Sequence, residues 1–416
     1  MSTAAVPTPK TLDDIRIRRS LLEDLALKII YTNGELSVQE LSAQMCVSRP
    51  VAEALFGRLR KEQLCEVTGM TGVVYRTTAT SRGKERALEL LALNQYTGPA
   101  PVSLQEYCEE VQQQSIRRME VRPPEIARAM RHLVLDDIIL TQVGTALTSG
   151  RAIFLYGPTG TGKTSIAEAM TEIFHSESVL LPYAVEVDGQ IITVYDPHLH
   201  PKGNLPSSAD VDPRWVACKR PRVVVGGELT IEMLDLQFNP VAKYYAGPLQ
   251  MKANNGLLII DDFGRQRVRP DQLLNRWVVP LDRQVDFLSL VGGKKVEIPF
   301  DMFVVFATNL DPAKLVDPAF LRRIQTKIRL DCVGREHFHA IFSNVCREMK
   351  LLYDPAVCDY AIESIRRLGE PLRACHPRDL VNQVCWAAKY ESREPSLNVD
   401  TIAQACANYF LAPDAT

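Results

Sequence analysis

A glycine-rich stretch at residues 157–165 has the residue types and the spacing that phosphate binding requires. It fits the pattern G-x-x-x-x-G-K-[ST] at every fixed position. Its glycines let the backbone approach an anion closely, so that consecutive N–H groups and the start of a following helix face the phosphates. Lys163 supplies a positive charge for the outer phosphates, and Thr164 supplies a hydroxyl ligand for Mg²⁺. The residues predicted to contact a nucleoside triphosphate here are Gly157, Pro158, Thr159, Gly160, Thr161, Gly162, Lys163, Thr164 and Ser165.

A pair of adjacent carboxylates occurs in the stretch LLIIDDFG at residues 257–264. Such a short apolar run, bounded by turn residues, is typical of a strand buried on both faces of a parallel sheet. The like charges of Asp261 and Asp262 at its end need a cation nearby. In a chain with a phosphate-binding loop that cation is Mg²⁺, and Asp261 is expected beside the metal that Thr164 holds.

The elements that must position these residues are strands alternating with helical stretches over residues 125–330. The glycine-rich loop follows an apolar strand and precedes a helix-forming run, which is the setting of a functional phosphate loop. After Leu330 the strands stop, and residues 331–416 have the apolar spacing of helices. The predicted fold class is an α/β P-loop NTPase, with a parallel sheet, flanking helices and a C-terminal all-helical lid. The strands expected in the sheet are Ala152–Tyr156, Val185–Val187, Val223–Val225, Leu257–Ile260 and Phe303–Ala307.

Residues 20–95 form a separate region between an N-terminal tail (1–19), of which residues 1–12 are expected to be loose, and a Pro-marked linker (96–124) that holds one helix. Its order of helical and strand segments resembles a winged helix-turn-helix domain, with Ser48–Leu64 as recognition helix and Thr68–Tyr75 as wing. Residues 15–91 hold 12 Lys/Arg against 9 Asp/Glu, a difference of only +3. DNA-reading helices usually place polar side chains in their first turns, where this chain has SRPVAEAL. DNA contact through residues 20–95 and protein docking both remain open.

From about Glu125 to the C-terminus the motifs resemble those of the AAA+ ATPases. FVVFATN looks like the sensor 1 strand, whose Asn309 would orient the attacking water. LVDPAFLRRI is similar to the segment that ends in arginine fingers, so that Arg322 or Arg323 would reach the ATP of a neighbouring subunit. HPRDL matches the sensor 2 helix, with Arg378 touching the phosphates from the lid. The resemblance implies a homo-oligomeric ring, expected as a hexamer, with ATP and Mg²⁺ bound.

A narrower likeness is to the MoxR and magnesium-chelatase-like branch, whose members carry an insertion in helix 2. Residues 234–265 have a Gly-Pro before an Asn-Gly that leads into the strand before Asp261, and residues 284–309 resemble the hairpin ahead of sensor 1 in that branch. Between Ala184 and Ala246 there is more chain than a minimal AAA+ core needs. The family usually follows its Mg²⁺-associated aspartate with a glutamate that activates water, whereas this chain has Asp262, one methylene shorter. A carboxylate of ordinary pKa is ionised at neutral pH and can still act as base, but its reach is reduced. An ordinary ATPase and a slow or switch-like one both fit, and we favour an active but slow enzyme.

Two further groups of residues have alternative interpretations. Tyr244 and Tyr245 fit a substrate-contacting pair on a pore-facing loop, but core packing is favoured. Asp196, His198 and His200 have metal-like spacing, but a loop without metal is favoured.

Composition limits the function classes. The formal net charge of −2 gives no whole-protein reason to expect nucleic acid or a membrane surface. The 10 cysteines include no C-x-x-C pair, which favours reduced thiols over zinc. No apolar run approaches a membrane span and the N-terminus lacks a signal-peptide core, so no membrane insertion and a cytoplasmic location are expected.

The leading functional hypothesis is a Mg²⁺-dependent AAA+ ATPase that assembles as a ring and remodels an unidentified protein client, as a MoxR-like chaperone would. A DNA-associated ATPase or transcription regulator that uses the winged helix is the first alternative. A nucleotide-switched scaffold or filament with slow turnover is the second.

Overall fold

The computed structural model describes residues 6–71, 74–174, 177–204 and 210–411. The N-terminal unit packs its helices on an antiparallel sheet of order β1-β3-β2. Apolar residues at helical spacing fill its core, and Leu22, Leu41 and Leu55 are fully buried there. Residues 72–73, in the predicted wing, lie outside the described residues. The elements of this unit are α1 (Arg19–Asn33), β1 (Glu35–Ser37), α2 (Val38–Met45), α3 (Arg49–Lys61), β2 (Cys65–Thr71), β3 (Val74–Ala79) and α4 (Ser81–Leu93).

The segment before α1 packs along this unit. The Val6 carbonyl accepts a hydrogen bond from Asp212 N over 2.9 Å, and the Ser48 hydroxyl donates to the Pro9 carbonyl over 2.6 Å. Ile15 is buried in the core, because the segment carries apolar residues at contact positions. Residues 6–12, which belong to the segment expected to be loose, thus make defined contacts, while residues 1–5 lie outside the described residues.

The chain then forms the elements that build two five-stranded and two two-stranded sheets. They are β4 (Val102–Ser103), α5 (Leu104–Gln113), α6 (Pro123–Ala129), α7 (Asp137–Ser149), β5 (Ile153–Tyr156), α8 (Lys163–Phe174), β6 (Ser178–Pro182), β7 (Ala184–Val187), β8 (Gln190–Thr193), β9 (Trp215–Lys219), β10 (Arg222–Val225), β11 (Gln237–Asn239), β12 (Tyr244–Ala246), α9 (Leu249–Ala253), β13 (Leu257–Ile260), α10 (Pro270–Arg276), α11 (Val278–Arg283), β14 (Val285–Ser289), β15 (Lys295–Pro299), β16 (Phe303–Thr308), α12 (Pro312–Leu315), α13 (Pro318–Leu321) and β17 (Thr326–Arg329).

The central sheet is parallel throughout and has the order β10-β13-β16-β5-β17. Its strands alternate side chains between two apolar layers. One layer, with Ile259 and Val305, packs on α6–α8, and the other, with Ile260 and Phe306, packs on α9, α10 and α13. Burial on both faces explains why β13 and β16 read as continuous apolar runs. The carboxyl ends of these strands carry the predicted site residues.

Two strand assignments differ from the expectation for this sheet. β17 has only Ile328 buried, so this edge strand shows no apolar run in the sequence. Val185–Val187 is a strand, but it belongs to a second sheet of order β11-β12-β8-β7-β4. β7 and β8 form a hairpin whose turn, Asp188-Gly189, has positive φ angles of 51° and 82°.

The second sheet shares one core with α5 and the pairs β6–β9 and β14–β15. Tyr245 is buried in this core, and its hydroxyl accepts a hydrogen bond from Val291 N over 2.9 Å. Tyr244 packs edge-on against Tyr96 at 5.5 Å between ring centroids. Both tyrosines therefore serve packing, as favoured from the sequence.

Residues 96–124, expected as a linker, supply β4 and α5 to that second core. Arg214 is 1% exposed and reaches from the β6–β9 region to Asp212 Oδ2 (2.7 Å), Glu106 Oε1 (3.3 Å) and the Pro101 carbonyl (3.2 Å). Asp301, before β16, accepts hydrogen bonds from Ser115 Oγ (2.8 Å) and from the backbone after α5. The segment is fixed to the sheets because buried charges require such partners.

The C-terminal region is helical. Its core is formed by apolar residues from all its helices, among them Phe338, Phe342, Ile362, Leu380 and Ile402. Residues 412–416 of the predicted lid lie outside the described residues. The helices are α14 (Arg335–Glu348), α15 (Pro355–Arg367), α16 (His376–Tyr390) and α17 (Val399–Tyr409).

Among the described residues no helix is both long and apolar enough to cross a membrane. All ten cysteines are free thiols.

Candidate active site

A cleft of about 1070 Å³ lies between the carboxyl edge of the central sheet and the C-terminal helices. It is lined by most of the residues that were predicted from the sequence to bind nucleotide or metal or to act in catalysis. Gly157, Pro158, Arg322 and Arg323 are not among its lining residues. The predicted residues that do line it are Thr159, Gly160, Thr161, Gly162, Lys163, Thr164, Ser165, Asp261, Asp262, Asn309 and Arg378.

The phosphate loop joins β5 to α8 and needs its glycines for two reasons. A Cβ on Gly157 would lie 2.0 Å from the Leu330 carbonyl oxygen, so no side chain fits there. Gly162 has open space around it but a φ of +92°, which L residues rarely adopt. Open space beside a backbone that only glycine tolerates is what close approach by a phosphate requires.

Lys163 begins α8 and places its ammonium inside the loop. Its Nζ donates to the carbonyls of Gly157 (2.9 Å) and Pro158 (2.7 Å). Burial lowers the pKa of Lys163, and the carboxylates of Asp261 and Asp262 oppose that shift. The lysine therefore lies within the electrostatic reach of both aspartates.

Asp261 and Thr164 meet at the end of β13. The Thr164 hydroxyl donates to Asp261 Oδ2 over 3.0 Å, and Asp261 Oδ1 accepts from Asp262 N over 2.9 Å. The described residues contain no group of three or more His, Cys, Asp or Glu side chains that could hold a metal by themselves. A single hydroxyl and a single carboxylate beside a phosphate loop fit Mg²⁺, which prefers oxygen ligands and completes its shell with phosphates and water.

Asp262 follows Asp261 with a left-handed backbone, φ 49°. Its side chain is exposed to the cleft, and its carboxylate makes no hydrogen bond or ion pair with the described residues. Asn309, at the end of β16, lies 3.4 Å from Thr159 Oγ1 through Nδ2. The Asn309 Oδ1 is buried and has no partner among the described residues. The Asp262 carboxylate is thus a free acceptor in the cleft, whereas the Asn309 Oδ1 is unpaired but buried.

Arg378 enters the cleft from α16. It forms a two-point ion pair with Glu348, at 2.7 and 3.2 Å, and hydrogen bonds from Arg378 lower the pKa of Glu348. Sequence reasoning missed Glu348, since a glutamate on a helix has no motif of its own. Arg378 is available to an anion in the cleft only in exchange with this carboxylate.

The two arginines after α13 have different environments. Arg323 is held by Asp282 at 2.9 Å and by the Ala319 carbonyl at 3.1 Å. Arg322 is exposed and makes no hydrogen bond or ion pair within the described part of the chain. Neither contributes to the cleft of its own chain.

Part of the cleft lining was not predicted from the sequence. His337 of α14 and Asp136, which precedes α7, both line the cleft, with Nε2 and Oδ1 3.3 Å apart. These residues belong to no motif, so only the fold reveals them. The other lining residues of this kind include His132, Leu133, Leu135, Ile139 and Ile341.

The His198–His200 loop lies elsewhere and is structural. His200 is fully buried, with Nδ1 accepting from Asp196 N over 2.9 Å and Nε2 bonded to the Lys252 carbonyl at 2.8 Å. Burial lowers the pKa of His200, so it stays neutral, with both ring nitrogens occupied.

Three comparisons with known proteins show partial similarities. Residues 334–408 match a family model described as a domain of unknown function (DUF8689). The uncharacterized protein YojN of Bacillus subtilis (strain 168) is 35% identical over 60 residues, which are 14% of this chain and 20% of that protein. The chain therefore spans about a fifth of the length of this curated relative.

Solved structures of RuvB from Thermotoga maritima are also similar. A structure titled as the RuvB Holliday junction branch migration motor has a TM-score of 0.38 and 13% identity, over 65% of this chain and 68% of that chain. A single-residue RuvB mutant has a TM-score of 0.40 and 14% identity, over 66% and 69%. The fold assignment itself comes from the strand order, the phosphate loop and the C-terminal helices: this chain has the α/β P-loop NTPase fold.

Proposed function

We propose that this chain is a Mg²⁺-dependent ATPase of the AAA+ type that works in an oligomeric ring and remodels a protein partner. The observation that carries the proposal is the Thr164 hydroxyl, 3.0 Å from Asp261 Oδ2, beside Lys163 in the interdomain cleft. A triphosphate supplies the remaining oxygen ligands that such a pair needs to hold Mg²⁺. The apolar residues that line the cleft, such as Leu133 and Ile139, suit the flat ring of a nucleobase.

The phosphate loop and the C-terminal lid bind the phosphates and neutralise their charge. Lys163 and the loop N–H groups bind and orient the outer phosphates. Asp261 and Thr164 would hold Mg²⁺, which, when bound, neutralises charge on the phosphoryl oxygens. Arg378 adds positive charge from the lid once it exchanges Glu348 for phosphate.

Asp262 and Asn309 would act on the attacking water. Asp262 accepts a proton from the water as the bond from water to the γ-phosphorus forms and the bond to ADP breaks. Asn309 lines the same cleft and would orient the water through its side-chain amide. The short side chain of Asp262 supports slow turnover, because the water must come closer than a glutamate would require.

Arg322 supports a ring. It is exposed, unpaired within the described part of the chain and absent from its own cleft, so it is free to enter the cleft of a neighbouring copy. Arg323 is tied to Asp282, and Arg322 is therefore the proposed finger. A head-to-tail contact of this kind closes into a ring when its rotation permits.

A protein partner is supported by exposed apolar side chains on the hairpins of the second core. Val241 and Val291 are 73% and 71% exposed at the tips of the β11–β12 and β14–β15 hairpins. Phe238 and Phe287 lie on the strands beside them and are partly exposed. Exposed apolar patches on soluble proteins often mark interaction sites.

The test is Mg²⁺-dependent phosphate release, together with binding of a fluorescent ATP analogue. Lys163→Ala is expected to lose both, because it removes the phosphate contact. Asp262→Asn should keep binding and lose about 100-fold or more in kcat, the scale of a general base. Asp188→Asn is the matched control, since Asp188 has the same left-handed backbone (φ 51°) outside the cleft.

Two outcomes would contradict parts of the proposal. Equal turnover by wild type and Asp262→Asn would remove the base assignment. Absence of Mg²⁺-dependent phosphate release by the wild type would remove the ATPase, and would leave the nucleotide-switched scaffold as the better reading. Electron microscopy with ATP separates a closed ring from an open filament.

The DNA-associated alternative uses the N-terminal unit, whose element order resembles that of a winged helix. The exposed residues in the first two turns of α3 are Arg49, Pro50, Glu53 and Ala54. Arg49 pairs with Glu53 at 2.7 Å, and the Ser48 hydroxyl before the helix donates to the Pro9 carbonyl. These contacts favour a protein-docking role for the unit.

A further inference from the structure

The C-terminal helical region touches the phosphate loop through the turn that begins α16. Cys375 N–H donates to the Gly160 carbonyl over 3.0 Å. A Cβ on Gly160 would lie 2.5 Å from Cys375 Sγ and 3.4 Å from Arg373 Cδ, so the turn fills the space against the loop. Because no gap separates them, the position of the turn sets the position of the loop.

The end of α17 supports this turn from behind. The Tyr409 hydroxyl donates to Asp379 Oδ2 over 2.8 Å and lies 3.9 Å from Cys375 Sγ. Its ring meets the fully buried His376 edge-on at 5.8 Å, and His376 Nδ1 accepts from Arg373 N over 3.3 Å. Burial and the bond to Asp379 raise the pKa of Tyr409, so the hydroxyl stays protonated and acts as donor.

We infer that Tyr409 is a positioning residue for the phosphate loop, acting through Asp379 and Cys375 on Gly160. The inference rests on the proposed nucleotide-binding function and adds to it a role for the last helix. Tyr409 does not line the cleft, whereas Asp379 and Cys375 do. Tyr409 therefore acts on the nucleotide site indirectly, and its loss changes how firmly the phosphate loop is held in position.

The hydrogen bond from Tyr409 to Asp379 also affects the charge in the cleft. Asp379 lies in a cleft that would receive a triphosphate, next in sequence to Arg378. The Tyr409 hydroxyl fixes that negative charge and partly neutralises it by hydrogen bonding. Without the hydroxyl the carboxylate is freer to pair with Arg378 and to repel phosphate.

Tyr409→Phe tests the inference because it removes the hydroxyl and keeps the ring packed against His376. The probe is a fluorescent ADP analogue with Mg²⁺, followed by steady-state ATP hydrolysis. We expect its Kd and the KM for ATP to rise about five- to tenfold, the scale of one ordinary hydrogen bond. The kcat should change less than about twofold, because no group that touches the reacting phosphate is altered.

Tyr360→Phe is the matched control. Tyr360 lies on α15 of the same helical region, and its hydroxyl has no hydrogen-bond partner among the described residues. Combining Tyr409→Phe with Asp379→Ala tests whether the pair acts as a unit, in which case the double variant binds no more weakly than Asp379→Ala alone. Melting curves establish that the variants are folded.

The inference is overturned if Tyr409→Phe binds the analogue as tightly as wild type, if Tyr360→Phe weakens binding equally, or if the effects of Tyr409→Phe and Asp379→Ala multiply. Failure of the wild type to bind the analogue at all would overturn the proposed function as well. Loss of binding in Lys163→Ala with normal binding in Tyr409→Phe would leave the function standing and remove only the role of Tyr409.

Discussion

At the scale of single residues, the site depends on backbone conformations as much as on side chains. Asp262 has a φ of 49°, which turns the chain sharply after Asp261 and separates the directions of the two carboxylates. One oxygen of Asp261 takes the Thr164 hydroxyl, while Asp262 keeps both oxygens free of the described protein groups. The division of labour between adjacent identical side chains follows from this turn.

Glu110 provides a prediction about stability. It lies on α5, is 4% exposed and has an Oε1 without a partner among the described residues. Burial raises the pKa of Glu110 from 4.5 to about 7. Because the folded state binds this proton more tightly than the unfolded state, stability is full below pH 4.5 and falls as pH rises to about 7. The loss amounts to about 3 kcal/mol.

Glu110→Gln should remove this dependence. The variant is expected to melt at a higher temperature than wild type at pH 8, and the difference should shrink toward pH 5. Thermal melts across that range measure it. Glu109→Gln is the neighbouring control, because Glu109 is exposed and paired with Arg16. A constant difference at every pH would show that Glu110 does not titrate in this window.

Much of the site could be predicted from sequence because its parts are local patterns. The loop at 157–165 and the carboxylates after β13 are set by neighbours in the chain, and the parallel sheet then brings Asn309 beside them. Glu348, His337 and Tyr409 have no such pattern. Their roles arise from packing between segments far apart in sequence, which residue spacing does not encode.

At the scale of elements, buried strands were visible in the sequence and half-exposed ones were not. β13 and β16 are apolar throughout, whereas β17 buries only Ile328. β4 has two residues and becomes a strand only because β7 pairs with it. The second sheet was missed for the same reason, since its short strands depend on tertiary pairing.

The helix α3 provides a prediction about nucleic acid. In its first two turns the exposed Arg49 is paired with Glu53, and the exposed Pro50 and Ala54 offer no hydrogen-bonding side chain. The full chain should therefore bind a labelled duplex only weakly and without sequence preference. Filter binding at about 50 and 200 mM salt measures this, because many phosphate contacts would cost about 10³-fold or more over that range. Tight, steeply salt-dependent binding that is lost in Arg60→Ala/Lys61→Ala would favour the DNA-associated alternative.

At the scale of the whole molecule, the cleft and Arg322 lie on different surfaces of one chain, and a neighbouring copy would unite them. Mixing two inactive variants tests this arrangement. Asp262→Asn retains its finger, and Arg322→Ala retains its own site. At equal amounts about a quarter of random interfaces combine an intact site with an intact finger, so about a quarter of wild-type phosphate release should return.

The control mixture is Asp262→Asn with Lys163→Ala. Both variants lack a working site, so no interface in that mixture is complete and no activity should return. A mixture of Asp262→Asn with Arg322→Ala that stays as inactive as its components would show that Arg322 does not act between copies.

The contact between Cys375 and Gly160 has a thermodynamic consequence for any partner of the C-terminal helices. If nucleotide binding stabilises the loop, and the loop stabilises the turn, then a single coupling free energy links the two binding events. A protein that binds α17 in its docked position would increase the affinity for nucleotide by some factor. Nucleotide must then increase the affinity for that protein by the same factor, because linkage between sites is reciprocal.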